Sequence, residues 1–386
     1  MPHVADPSTL PARLRALPAG AALLDALGGE PGVHLVGGAV RDLLLGREPR
    51  ELDLVVEGDA VALARRLDPA AVVHDRFATA TVLVDGHAVD LATARRERYP
   101  QPGALPEVSP AGLDEDLRRG DVTVNSIALP LSGGPLVAAP DGVEDLAAGV
   151  LRVLHDASFV DDPTRLYRLA RYAARLGFAV EPHTRALADS AVRGEAPGTV
   201  SGPRIGAELR LAAGESDPLV ALSWMAALGL VPAATHPRPV IADALALLPL
   251  DGRPDLLVLG AWGLPSLAQL GFSGAELTVL DRLVRGTELA GDACACERPS
   301  ALRFLLDREP VETVALAGAL GAREPVLAYL EALRHVRLSI TGADLLAAGV
   351  PEGPEIGRRL RAALASRLDG DAPPGREGEL AAALGA

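Results

Sequence analysis

The run Leu35-Val36-Gly37-Gly38-Ala39-Val40-Arg41-Asp42 places two glycines between a β-type segment and a helix-forming one, and Glu51-Leu52-Asp53-Leu54-Val55-Val56 follows within a dozen residues. Glycine lets a backbone approach a phosphate closely, and the first turn of a helix offers free N–H groups at its positive end. Glu51 and Asp53 stand at i and i+2, so on a strand their carboxylates project from one face, as metal ligands must. Asp90, within Ala88-Val89-Asp90-Leu91-Ala92-Thr93, lies in a similar pattern and supplies a third carboxylate for the same ions. Such a cluster suits phosphoryl or nucleotidyl transfer with two Mg²⁺. One metal lowers the pKa of the attacking hydroxyl, and the other neutralises the leaving pyrophosphate. Each signal alone is ordinary: Gly-Gly occurs in many turns, and an acidic pair fits a solvated edge strand equally well.

These groups need a mixed frame to converge. His34-Leu35-Val36 reads as a strand, Ala39 to Leu45 as a helix, Leu52 to Val56 as a strand and Ala60 to Leu67 as a helix. Thr79 to Val84 and Ala88 to Thr93 read as two strands about a turn at Asp85-Gly86. The Pro- and Gly-rich stretch from Arg98 to Leu113 reads as a loop beside the site. After Phe159 the pattern is helical. Asp161-Asp162-Pro163-Thr164 opens a helix whose apolar positions Leu166, Leu169, Ala170, Ala173 and Leu176 run to a stop at Gly177. The expected architecture is an α+β head, a small mixed sheet with flanking helices, over residues 1–154. An all-α neck (155–215) and an all-α body and tail (216–386) follow.

Composition sets limits on partners. The net charge of −14 over 386 residues argues against bulk electrostatic adhesion to nucleic acid, so a nucleic-acid site must be a local patch of arginines. The chain contains no lysine, so each of its 37 cationic side chains is an arginine, whose fork binds phosphate bidentately. Genomic base bias explains the same composition. Cys294 and Cys296 have no second pair, which excludes a four-ligand zinc site and fits a reducing compartment. The N-terminus lacks a basic start followed by an apolar run, and no apolar stretch spans a membrane, so the expected location is cytoplasmic with no membrane partner. No Walker-type phosphate loop, no H-E-x-x-H and no nucleophile elbow is present.

The ordered set Gly37-Gly38-Ala39-Val40-Arg41-Asp42, the acidic pair, Arg118-Arg119-Gly120-Asp121-Val122-Thr123-Val124-Asn125, and Asp161-Asp162-Pro163-Thr164-Arg165-Leu166-Tyr167-Arg168 resembles the motifs of class II tRNA nucleotidyltransferases. That family comprises the CCA-adding enzymes and bacterial poly(A) polymerases. The resemblance covers roughly residues 30 to 230, and Ile340-Thr341-Gly342-Ala343-Asp344-Leu345-Leu346 through Gly353-Pro354 is similar to the family's C-terminal pattern. It implies that Glu51, Asp53 and Asp90 hold the catalytic Mg²⁺. Gly37, Gly38, Arg41 and Asp42, then Arg119, Asp121 and Asn125, would contact the nucleotide. Asp162 and Arg165 would read the Watson–Crick edge of CTP or ATP, with Arg168 and Arg171 steadying phosphates or the reading side chains. The acceptor arm of tRNA would lie along the helical body and receive C, C and A. A CC-adding enzyme, an A-adding enzyme or a poly(A) polymerase shares these motifs, and a non-catalytic tRNA- or nucleotide-binding paralogue is the alternative of another class.

Four positions depart from the family pattern. Glu51 stands where Asp is usual, Gly120 where an Arg precedes Asp121, Val122 where Phe is usual, and Pro203 where Glu commonly precedes Arg204-Ile205. Arg119 is the neighbouring candidate for the missing guanidinium, although a one-residue slip on a strand turns a side chain to the other face.

Overall fold

A computed structural model describes residues 2–74, 78–264 and 267–385. The chain forms two compact units, Met1–Val231 and Pro232–Ala386.

In the first unit, helices α1 (Leu10–Arg15) and α2 (Gly20–Leu27) precede β1 (Val33–Val36) and α3 (Gly38–Leu44). β2 (Leu52–Val56), α4 (Ala60–Leu67), β3 (Val72–His74), β4 (Thr79–Val84) and β5 (His87–Thr93) follow. Asp59 caps α4 by accepting from the Ala62 N–H at 2.9 Å, which explains why that helix starts where the sequence places it. A second ribbon is formed by β6 (Arg95–Arg98) and β7 (Glu107–Pro110). The chain then runs through α5 (Leu113–Arg118) to β8 (Ile127–Pro130), β9 (Val137–Ala138) and α6 (Gly142–Ala148).

The main sheet has seven strands in the order β3-β4-β5-β2-β1-β8-β9. It is mixed: β2 runs parallel to β5, while β1 is antiparallel to both β2 and β8. Burial alternates along β4 and β5, while the central strands β1 and β2 carry consecutive buried residues, and Leu35, Leu54 and Leu91 are at most 1% exposed. The parallel register sets Asp53 directly opposite Asp90, so the two carboxylates stand side by side on one face.

The expected loop from Arg98 to Leu113 is shorter than the composition suggested. Its distal half pairs with β6, Arg98 opposite Glu107 and Arg96 opposite Ser109, leaving residues 99–106 as the connection. Cross-strand polar pairs hold this ribbon, including Arg96 Nε to Ser109 Oγ at 2.9 Å and the Arg98–Glu107 ion pair.

A short parallel pair, β10 (Val150–Leu151) with β11 (Ala179–Val180), brackets α7 (Ser158–Asp161) and α8 (Thr164–Leu176). Gly177 ends α8 with φ 69°, as its position in the sequence implied. Then come α9 (Pro182–Arg193), α10 (Gly202–Ala213) and α11 (Pro218–Ala227).

The second unit is helical throughout its described residues, from Arg238–Leu247 to Arg376–Leu384. One core gathers Leu289, Leu306, Val314 and Val326, and a smaller one gathers Ile340, Leu345, Ala363 and Ala383. No helix among the described residues is long and apolar enough to cross a membrane.

Candidate active site

A cleft of about 800 Å³ in the first unit is lined by the glycine turn after β1, the start of β2, the β6–β7 ribbon and the neck helices α8 and α10. Gly37 has φ 73° and ψ −138°, a conformation that side chains rarely adopt, and Gly38 opens α3 beside it. The sharp turn aims Arg41 across the cleft. Its guanidinium is 2% exposed and donates through Nε to Asp42 Oδ1 at 2.8 Å and through Nη1 to Asn125 Oδ1 at 2.6 Å.

That contact opens a network from head to neck. Asn125 Nδ2 donates to Asp121 Oδ1 at 3.3 Å, while Asp121 Oδ2 accepts from Arg168 Nε at 2.7 Å and from the Tyr172 hydroxyl at 2.8 Å. Burial opposes ionisation of Asp121, but Arg168 and Tyr172 more than offset it and hold the carboxyl well below the usual range. Tyr172 also lies under Arg41, its ring centroid 6.0 Å from the guanidinium carbon. Sequence reasoning missed Tyr172. Its position four residues after Arg168 on one helix face was the available signal.

Of the acidic trio, Glu51 and Asp53 line the cleft and Asp90 does not, although it adjoins Asp53 in register. Glu51 lies one residue outside the β2 ladder and is exposed, rather than on the strand as its i, i+2 spacing suggested. Among the described residues no group of three His, Cys, Asp or Glu side chains is gathered tightly enough to form a finished metal cage. The donors nevertheless fit a hard divalent cation. All are carboxylate oxygens, and burial, with the charges of Glu51 and Asp90, pushes Asp53 up to about 6. The site therefore carries negative charge that a cation would neutralise. Asp90 Oδ1 accepts from Thr81 Oγ1 at 2.5 Å, which fixes its rotamer beside Asp53.

The neck supplies the opposite wall. Asp162 Oδ1 accepts from the Thr164 N–H and hydroxyl and from Arg204 Nη2 at 2.8 Å. Arg165 donates to Ser158 Oγ at 2.8 Å and to the Arg119 carbonyl at 2.7 Å. Arg168 and Arg171 line the same cleft, but Arg171 is held by Glu208 at 2.7 Å and Glu215 at 3.2 Å. Glu215, 1% exposed at its side chain, also takes Arg175 and Arg50. Burial opposes its ionisation, and these arginines bring its pKa below the usual value. Arg204, Glu208 and Glu215 were not among the expected site residues, because their partners lie about forty residues away in sequence.

Arg119 reaches the cleft with its guanidinium engaged by Asp116 at 2.9 Å and Glu97 at 3.1 Å. A Cβ on Gly120 would lie 2.6 Å from Ser126 Oγ and 3.1 Å from Leu154 Cδ1, so this position is packed too closely for a side chain to enter without a shift.

Residues 33–152 match the family described as the Poly A polymerase head domain. The chain is 36% identical to a CC-adding tRNA nucleotidyltransferase of Deinococcus radiodurans, over 84% of this chain and 82% of that one. It is 35% identical to an A-adding tRNA nucleotidyltransferase of Geobacter sulfurreducens, over 88% of this chain and 43% of the relative. A solved apo CCA-adding enzyme superposes over the whole of both chains with a TM-score of 0.81 at 28% identity. A Thermotoga maritima CCA-adding enzyme solved with tRNA gives a TM-score of 0.75 at 28% identity.

The fold is that of the CCA-adding enzyme structures it superposes on. The chain belongs to the class II CCA-adding enzyme family, whose members generally use divalent metal ions. It spans about half the length, or less, of several A-adding relatives, 43% and 52% for the Geobacter and Halalkalibacterium proteins.

Proposed function

We propose that the protein is a nucleic-acid-template-independent nucleotidyltransferase that adds CMP and AMP, from CTP and ATP, to the 3′ end of tRNA in the cytoplasm, with Mg²⁺. One observation carries the reading: a single cleft brings together the glycine turn, the acidic strand and the Asp162/Arg165 wall, although these lie more than a hundred residues apart in sequence. The relatives named for A addition, CC addition and CCA addition support the chemistry.

In this reading Glu51, Asp53 and Asp90 hold the metal. Bound there, it would activate the tRNA 3′-hydroxyl and neutralise the departing pyrophosphate. Gly37, Gly38, Arg41 and Asp42 accommodate the triphosphate, with Asp121 and Asn125 fixing Arg41 and Arg119 contributing from the ribbon side. Asp162 and Arg165 read the base, with Arg168 and Arg171 buttressing them from the same helix. Residues 1–154 form the catalytic head, 155–215 the base-reading neck and 216–386 the body and tail that hold the acceptor arm. Purified protein incubated with tRNAs ending before, within and after CCA should incorporate labelled CMP and AMP when Mg²⁺ is present. Incorporation of C alone or A alone marks a CC- or A-adding enzyme, and A-tailing of unrelated RNA a poly(A) polymerase. No incorporation with either Mg²⁺ or Mn²⁺ refutes the reading.

A further inference from the structure

The arginines of the cleft are not equivalent. Arg41, Arg119, Arg168, Arg171, Arg175 and Arg204 each hydrogen-bond a carboxylate. Arg165, only 6% exposed, does not: among the described residues its hydrogen-bond partners are Ser158 Oγ, the Arg119 carbonyl, the Tyr99 hydroxyl at 3.5 Å and His155 Nε2 at 3.4 Å. A buried guanidinium that hydrogen-bonds no carboxylate is under-satisfied, and the cost falls when a ligand brings an acceptor to it. Ser158 is fully buried at the start of α7, and His155 lies three residues before it. For Nε2 to accept from Arg165, the neutral ring must carry its proton on Nδ1.

We propose that Ser158 and His155 are positioning residues that hold Arg165 through neutral acceptors, leaving its guanidinium without a directly bonded carboxylate to meet the incoming base, and that protonation of His155 releases this hold. The inference rests on Arg165 being a base-reading group. A protonated ring cannot accept, and it sets a second cation beside the guanidinium. The groups facing His155 are Arg165 on α8, Asp161 on α7 and the adjacent Asp156, whose carboxylate also meets His183 of α9 at 2.9 Å. Burial and Arg165 hold the imidazole below its ordinary value, and the two aspartates pull it the other way. The switch therefore operates on the acid side of pH 6.5.

The test is equilibrium binding of CTP, ATP and inorganic tripolyphosphate, each with the same divalent metal, at about pH 8 and about pH 5.5. Tripolyphosphate shares the metal and phosphate contacts but has no base, so titration of Asp53 cancels in the ratio of nucleotide to tripolyphosphate affinity. Wild-type protein should lose roughly tenfold of that ratio at the lower pH, the scale of one hydrogen bond to a charged group. The H155Q variant, which retains an acceptor and cannot titrate, should keep a flat ratio. The S158A variant should lose roughly tenfold at both pH values with tripolyphosphate affinity unchanged. Should S158A fail to fold, as judged by thermal melting, the pH arm with H155Q decides alone. An R165A control that lowers the ratio, alongside a wild-type-like ratio and pH dependence in S158A and H155Q, overturns the inference. An R165A variant with an unchanged ratio overturns the base-reading role itself, and the inference with it.

Discussion

Asp53 links stability to the proposed metal site. Burial and the charges of Glu51 and Asp90 raise its carboxyl from 3.8 to about 6. Between those values the folded chain binds the proton that the unfolded chain has lost, so this group's contribution to stability falls as pH rises through the window. The cost at neutral pH is on the order of 3 kcal/mol. D53N should therefore raise the melting temperature in EDTA by a few degrees while abolishing incorporation, a pairing that calorimetry and a nucleotide-transfer assay check together. For wild type, transfer should decline as pH drops through about 6, and added Mg²⁺ should move that limb to lower pH, because in the proposed site metal and proton would compete for Asp53. Glu51 tests side-chain reach. It lies just before the ladder, so E51Q should cost at least about a hundredfold in kcat, while E51D, which keeps the charge, should stay within about tenfold. The i, i+2 spacing of these acids was readable from the chain. The exit of Glu51 from the strand was not, because a strand's end depends on where its partners stop pairing.

At the scale of elements, two glycines join parts of the site. Gly103, in the 99–106 connection, has φ 71°, and a Cβ there would lie 2.2 Å from Thr199 Oγ1 and 2.7 Å from the Thr199 carbonyl. Its N–H donates to the Asp161 carbonyl at 3.2 Å, and its own carbonyl accepts from Arg204 at 2.8 Å. G103A should undock this connection, at a cost of about 1–3 kcal/mol in that local contact, and limited proteolysis between residues 99 and 106 should accelerate. At Gly120 a side chain meets Ser126 and Leu154, so G120R should lower the melting temperature and fail to raise activity. Helix α8 was legible nearly residue for residue, since an acidic and proline start, helical apolar spacing and a glycine stop are all local signals. The β6–β7 ribbon was not. Its strands are short and polar, and cross-strand pairing stabilises them where an apolar alternation is lacking.

Across the whole molecule, net charge and local charge diverge. The chain carries −14, yet ten arginines face the cleft, with Glu51, Asp53, Asp121 and Asp162 among them. Most of those cations are paired, so binding of tRNA should rely on few phosphate contacts. A filter-binding titration should show affinity falling with salt, with a log–log slope shallower than about −5. A slope near zero would contradict phosphate contact altogether. The order of motifs along the chain determined the fold class and the family, and singled out thirteen of the residues lining the cleft, because helix periodicity, strand alternation and glycine turns are written locally. Tertiary structure alone decided which of those groups are paired. Asp121 meets Arg168, Glu215 collects Arg50, Arg171 and Arg175, and among the described residues Arg165 hydrogen-bonds no carboxylate. These relations span tens to more than a hundred residues, and only packing determines which side chains meet.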